Sequence, residues 1–274
     1  MQQYTINKHI RDLQKISHTH IIDFRNHLLD KKLSNKSVNN IISTLNKIFE
    51  TAQNEKFIQN NPCSKIKKLP LDRKKMKFWR QEELKKFLTI KSFLKTFYAL
   101  AFFTGMRCGE MLALQWKDID RILMEIDVRK SATYLKKEFI VTLPKTKNSI
   151  RRISINRKLF SLLDYWREKQ EDLFKKLNIL HSDESYIFQY KDTPSSKDIF
   201  SRKIKYFCKN SDLEPIRLHD FRHSQVALLI DQGEDYATIK ERLGHGSVKT
   251  TIDVYGHLYP NKQKEMTDKL DDLF

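Results

Sequence analysis

The spacing of apolar residues changes its period along the chain, and that change constrains what the chain can fold into. Up to residue 60 the period is helical. Across residues 19–32, Ile21, Ile22, Phe24, Leu28 and Leu29 trace a stripe after a Ser/Thr-type start. A second, clearer stripe begins near Ser34 or Ser37. It runs through Val38, Ile41, Ile42, Leu45, Ile48, Phe49 and Ala52 at i, i+3, i+4, i+7, i+10, i+11 and i+14, and it needs a partner to cover it. Asn60-Asn61-Pro62 stops the pattern, because proline lacks an N–H and biases its predecessor away from the helical region. Helical spacing resumes at residues 80–88 and 92–103, with Gly105 as a C-terminal stop. Between Glu125 and Ile155 it gives way to alternation. Residues 125–129, 139–143 and 152–155 read as a three-stranded antiparallel sheet, with the turn-like stretch 144–148 before the last. Helices return at 157–177, 197–209, 219–231 and 236–243. The expected fold is therefore mainly α (α+β). A small helical domain, residues 1–63, is joined by a linker, 64–77, to a larger mixed helical domain, 78–274, that carries the sheet.

Charge narrows the partners. With 52 Lys+Arg against 34 Asp+Glu the chain carries +18, which calls for a polyanion. A hydrophobic fraction of 39%, with 17 Phe and 10 Tyr, is too apolar for a disordered basic tail. The longest uncharged apolar run, residues 97–103, falls far short of the ~18 residues of a membrane span. The N-terminus has no apolar signal region, so a soluble, cytoplasmic protein is expected. Cys63, Cys108 and Cys208 are odd in number, far apart and outside any C-x-x-C pair, which predicts reduced thiols rather than disulfides or a zinc site. The densest basic run, Lys65-Ile-Lys-Lys-Leu-Pro-Leu-Asp-Arg-Lys-Lys-Met-Lys77, reads either as a solvated extended linker or as a strap along phosphate backbone. In the second case Lys65, Lys67, Lys68, Arg73, Lys74 and Lys75 would gain affinity by releasing counterions.

Four segments carry residues suited to chemistry, and each alone has a bland alternative. In Thr104-Gly-Met-Arg-Cys-Gly-Glu110, Arg107 is tethered between two packed helices, as an arginine capping a helix end would be. In Leu218-His-Asp-Phe-Arg-His-Ser224, positions 219, 222 and 223 share one helix face, so that His219 and Arg222 pair a titratable ring with a fixed cation, though a plain helix surface looks similar. In Arg242-Leu-Gly-His-Gly-Ser247, a histidine between two glycines sits where backbone can approach a ligand, and Tyr255 follows ten residues later. Lys145 lies in a hairpin, where lysine is commonly just solvated.

Together these segments read R-x-x-E, a hairpin K, H-x-x-R, L-G-H and Y. That order and spacing, with T-G-M-R-x-G-E, L-H-D-F-R-H-S, L-G-H-x-S and T-T-x-x-V-Y-G-H, resembles the tyrosine recombinases, in particular the integrases of phages and integrative elements, from about residue 20 to the end.

The resemblance implies a site-specific recombinase in which Tyr255 attacks a DNA phosphate. A 3′-phosphotyrosyl link and a free 5′-hydroxyl result, and no cofactor is consumed, because covalent catalysis conserves the phosphodiester energy; no metal is expected either, since the sequence shows no clustered carboxylates to hold Mg²⁺. The charge that gathers on the non-bridging oxygens must then be met by side chains. Arg107 and Arg222 suit this through their planar forks, each aimed donor contributing about 3–4 kcal/mol by analogy with oxyanion holes. By the same resemblance His219 would take the tyrosine proton or ligate the phosphate. Lys145 would protonate the departing 5′-oxygen, with Lys147 as the neighbouring choice. His245 would donate to a non-bridging oxygen, and Glu110 would orient its neighbours.

The resemblance also implies a core-binding N-terminal domain that clamps double-stranded DNA together with the catalytic domain, and a nucleoid-associated location. It implies a homo-tetramer on two duplexes. The tail 261–274, with Met266, Leu270, Leu273 and Phe274 on one stripe, would dock on a neighbouring protomer, and an accessory factor could set direction. The family-like text starts near His18, so a form lacking the separate arm-binding domain such integrases often carry is expected, either a compact recombinase that needs only core sites or a truncated product. The alternatives are a catalytically silent DNA-binding relative and a type IB-like topoisomerase.

Overall fold

The structure is a computed structural model that describes residues 12–71, 77–144, 149–244 and 246–255. The chain divides into two compact units, Met1–Lys75 and Met76–Phe274.

In the first unit, helix α1 (His18–Asp30) is capped by the Ser17 hydroxyl and α2 (Asn35–Asn54) by that of Ser34, each accepting a backbone N–H that the helix leaves unpaired. Ile21, Phe24 and Leu28 of α1 meet Val38, Ile42, Leu45, Phe49 and Ala52 of α2 in one apolar cluster, with Ile58 and Cys63 closing it. Ile48, about 80° round the helix from Val38 at 3.6 residues per turn, is 53% exposed, so the covered stripe is narrower than the sequence suggests. The basic run departs from a free extended linker in its first half. Ile66 and Leu69 pack on the same cluster, and Asn39 brackets Leu69 by donating to its carbonyl and accepting from its N–H, both at 2.9 Å. Asn35 donates to the Pro70 carbonyl at 2.8 Å. The two apolar residues inside the charged run dock it, and Lys65, Lys67 and Lys68 stay exposed. Arg73, Lys74 and Lys75 lie outside the described residues.

The second unit is built round α4 (Lys95–Thr104), which is buried on nearly every side and packs against α6 (Arg157–Lys176) and α8 (Leu218–Asp231). Phe97 stacks on Phe200 of α7 (Lys197–Asn210) with ring centroids 3.6 Å apart, and the Tyr98 hydroxyl donates to the Phe200 carbonyl at 2.8 Å. The remaining helices are α3 (Gln81–Phe87), α5 (Cys108–Leu112), α9 (Tyr236–Leu243) and α10 (Val248–Tyr255). Among the described residues no helix is long and apolar enough to cross a membrane. The three cysteines are free, and burial pushes each thiol up to about 11, which keeps it protonated.

A three-stranded antiparallel sheet is present, but its membership differs from the expected one. Its order is β1 (Ile119–Asp120), β2 (Glu125–Val128), β5 (Arg151–Ser154), with Ile126 opposite both Ile119 and Ile153. The segment around Phe139–Val141 instead forms β4 (Glu138–Thr142), paired only with β3 (Ser131–Leu135) in a separate hairpin. Both edges of β2 are already taken, and a two-residue turn folds β4 straight back onto β3. Lys136 and Lys137 make that turn at φ 48° and 73° without the Asn-Gly signature that marks such turns in a sequence.

Replacing Phe97, which is fully buried at the centre of the second unit, by alanine is expected to lower unfolding stability by about 3–5 kcal/mol, read by denaturant titration of the full chain.

Candidate active site

Helix α4 ends at Gly105 in the left-handed region (φ 60°), and the chain turns at once into α5. A side chain at 105 would meet the Gln225 amide oxygen at 1.9 Å, so the turn needs glycine twice over. At the start of α5, Glu110 reaches back to cap Arg107. Glu110 accepts from the Arg107 backbone N–H and from its guanidinium, each at 2.9 Å. Gly109 lets α5 press on β3, because a Cβ there would lie 2.5 Å from the Ser131 hydroxyl.

Glu110 has a second cation. Arg151, from β5, donates through Nη2 and Nη1 to the two Glu110 oxygens at 2.9 and 3.3 Å, and through Nε to the Arg242 carbonyl at 2.8 Å. Both side chains are 6% exposed, whereas Arg107 is 41% exposed. Burial alone would raise the Glu110 carboxyl, but Arg151 and then Arg107 outweigh it and hold the group below the usual carboxylate range. One buried carboxylate thus fixes two guanidiniums, and one of the two reaches the surface.

Arg222 is positioned differently. It is 2% exposed on α8, where Nη1 donates to the Gly105 carbonyl and Nη2 to the Leu243 carbonyl, both at 2.7 Å. These carbonyls close α4 and α9, so the guanidinium sits at the negative ends of two helices. A guanidinium carries five N–H donors, which leaves some for an anion. Burial, then the nearby Arg107, push Arg222 down to about 9, and it stays charged at neutral pH. Arg217 caps the start of α8 through Asp220, donating to it from the backbone at 2.8 Å and from Nη2 at 2.7 Å.

Tyr255 closes the group from α10. It is 2% exposed, in a cluster with Val226, Ile230, Ile239 and Leu243, and its hydroxyl lies 2.6 Å from Nδ1 of His223. Burial pushes the phenol up to about 12 against the opposing pull of Arg222. Burial, then His219, push His223 down to about 4, so at neutral pH its ring is uncharged. His219 is exposed, and its ring stands edge-on to His223 with centroids 4.9 Å apart; partial burial of the ring, then Arg222, keep its pKa below that of an ordinary histidine.

The structure therefore brings Arg107, Glu110, His219, Arg222 and Tyr255 into one electrostatically connected group. Lys145, Lys147 and His245 lie outside the described residues, as does the tail 261–274. Three further contributors do not stand out in the sequence as site residues. His223 has a visible signal there, one helical turn from His219 on the same face. Arg151 and Arg217 have none beyond their charge, because pairing with Glu110 and Asp220 is a property of the fold. Among the described residues no cluster of three or more His, Cys, Asp or Glu is placed to hold a metal ion.

Comparison with known proteins gives consistent relatives. Residues 77–262 match the phage integrase family, and residues 1–68 match the phage integrase SAM-like domain. The chain is 70% identical to the ICEBs1 integrase of Bacillus subtilis (strain 168), over 99% of this chain and 77% of that protein. It is 28% identical to a XerC-like tyrosine recombinase of Caldanaerobacter subterraneus, over 92% of this chain and 70% of the relative. Among solved structures, the Tn1549 transposon integrase in complex with a circular intermediate DNA superposes with a TM-score of 0.81 at 18% identity, covering 94% of this chain and 86% of that one. The XerH recombinase bound to its difH substrate gives 0.69 at 20% identity, covering 97% and 75%.

Replacing Glu110 by alanine strands the buried Arg151 and is expected to cost about 3–5 kcal/mol of stability. The pH dependence has a definite sign. A carboxyl held low in the folded state contributes stability that is complete above its ordinary value and is lost as pH falls through the folded one. Thermal unfolding followed from pH 7 to 3 should therefore show the gap between wild type and Glu110→Gln narrowing only below the ordinary glutamate range.

Proposed function

The chain belongs to the phage integrase family, the tyrosine recombinases, and we propose from that membership how its own residues divide the work. It is a site-specific recombinase that cleaves and rejoins DNA through a phosphotyrosyl intermediate, as the family does, and the ICEBs1 relative ties such an enzyme to a mobile element. Double-stranded DNA is its partner; the solved relatives are complexes with DNA.

In the proposed division Tyr255 is the nucleophile. Arg222 and Arg107 hold the non-bridging oxygens of the scissile phosphate. The observation that carries this is the burial of Arg222 beside Tyr255, on backbone carbonyls rather than on a carboxylate, so its charge is not cancelled where an anion would sit. Glu110 is a positioning residue that aims Arg107. His219, at the exposed rim, helps take the tyrosine proton or ligates the phosphate. His245 adds a donor, and Lys145 protonates the departing 5′-oxygen, a general-acid contribution of roughly 10²–10⁴-fold.

Residues 1–63 are proposed as the core-binding domain, 64–77 as the linker and 78–274 as the catalytic domain. Lys65, Lys67 and Lys68, with Arg73, Lys74 and Lys75, contact phosphate backbone. The assembly is a homo-tetramer on two duplexes, coupled through 261–274, with an accessory factor setting direction, and it works in the cytoplasm at the nucleoid.

A nicked suicide duplex carrying a site recovered by mapping bound DNA tests the reading. Wild type should give a covalent protein–DNA band on a denaturing gel, and Tyr255→Phe should bind the same duplex without one. A bound site with no covalent band would favour the silent DNA-binding relative, and relaxation of arbitrary plasmid would favour the topoisomerase. In a separate titration, Lys65→Ala/Lys67→Ala/Lys68→Ala should flatten the dependence of log affinity on log salt by up to about 3, near 0.9 for each phosphate that is no longer neutralised.

A further inference from the structure

The hydroxyl of Tyr255 meets a ring to which the proposed division assigns no role. Nδ1 of His223 lies 2.6 Å from it, while Val226, Ile230, Ile239 and Leu243 form an apolar wall around the same side chain. We propose that His223 is a catalytic residue, the group that takes the phenolic proton as the phosphotyrosyl bond forms. This rests on Tyr255 being the nucleophile.

Several observations support that role beyond proximity. For Nδ1 to accept from the phenol, the ring must be neutral with its proton on Nε2. Burial and the groups facing it favour the neutral ring: His219 stands edge-on from the preceding turn, Arg217 and Arg222 bring positive charge, and among the described residues Asp220, itself tied to Arg217, opposes. With the phenol near 12 and the ring near 4, the proton rests on Tyr255 until a phosphorus is at hand. His223 also follows Arg222 directly on α8. The helix turn whose position Arg222 fixes through Gly105 and Leu243 therefore fixes the proton acceptor too.

The step balances. The Oη–H bond breaks and an Nδ1–H bond forms, giving an imidazolium. The Oη lone pair bonds to phosphorus, the P–O5′ bond breaks, and the departing oxygen takes a proton from the general acid, for which Lys145 is proposed. In rejoining, the incoming 5′-oxygen bonds to phosphorus and returns its proton to the deprotonated general acid, the P–Oη bond breaks, and the imidazolium returns its proton to the leaving Tyr255 oxygen. The positive ring stands next to the negatively charged phosphate only while the reaction needs it.

The test is the rate of covalent trapping on the nicked suicide duplex, with retention of the same duplex on a native gel as control. His223→Phe keeps the ring volume and removes the acceptor; it should trap at least about 100-fold more slowly than wild type with retention unchanged. His223→Asn carries an oxygen near the place of Nδ1 and should stay within about tenfold, and added imidazole should speed trapping by His223→Ala but not by His223→Phe. Trapping by His223→Phe within about threefold of wild type would overturn the proposal. So would equal losses in the Phe and Asn variants with no imidazole rescue of His223→Ala. Absence of trapping by wild type on a duplex it retains would count against Tyr255 as the nucleophile, and is thereby distinguished from failure of His223 alone.

Discussion

A buried guanidinium held by the last carbonyls of two helices organises the second unit. Burying the Arg222 charge without partners would cost several kcal/mol, and the Gly105 and Leu243 carbonyls supply them from the C-terminal ends of α4 and α9. From the other side α8 is pinned by Trp79, whose backbone N–H donates to the Ser224 hydroxyl at 2.9 Å and whose ring packs edge-on against Phe221. Three sequence segments more than 100 residues apart at their extremes are thus fixed to one side chain. Gly105 has little choice of residue, since it provides the left-handed turn, the accepting carbonyl and the room for Gln225.

The charge arrangement follows from where counterions are placed. Glu110 is shared by Arg151 and Arg107, so it neutralises the buried partner and leaves the exposed one able to bind an anion. Arg222 has carbonyl dipoles in place of a carboxylate, which hold its position without cancelling its charge. Beside these cations desolvation keeps the two histidines of α8 neutral, with Arg222 adding to it at His219 and His219 at His223, and the phenol stays protonated because it is buried. The group is thereby positive, with a neutral ring beside the phenol, and suits a phosphodiester and its more highly charged transition state.

Much of this is legible from residue order alone. The helical stripes, the Gly105 stop, the break at Asn60-Asn61-Pro62 and the shared face of positions 219, 222 and 223 follow from local geometry, which sequence encodes directly. What escapes depends on tertiary pairing. A two-residue strand such as Ile119–Asp120 has no period to detect, and the Lys136-Lys137 turn lacks the usual left-handed residues, so alternation alone places β4 beside the wrong neighbour. The docking of residues 66–70 rests on two apolar residues in a charged run and on the Asn39 amide, thirty residues away. Arg151 is a surface-like residue by composition, and its burial rests on Glu110 and the Arg242 carbonyl, distant partners that the sequence does not show.

The claim at the centre is that one phenol becomes joined to DNA through a 3′-phosphate. Nuclease digestion of the trapped complex, followed by peptide mapping in a mass spectrometer, tests it most directly. The account predicts a nucleotide adduct on Tyr255 linked through a 3′-phosphate. An adduct on any other side chain, or linkage through a 5′-phosphate, would contradict it.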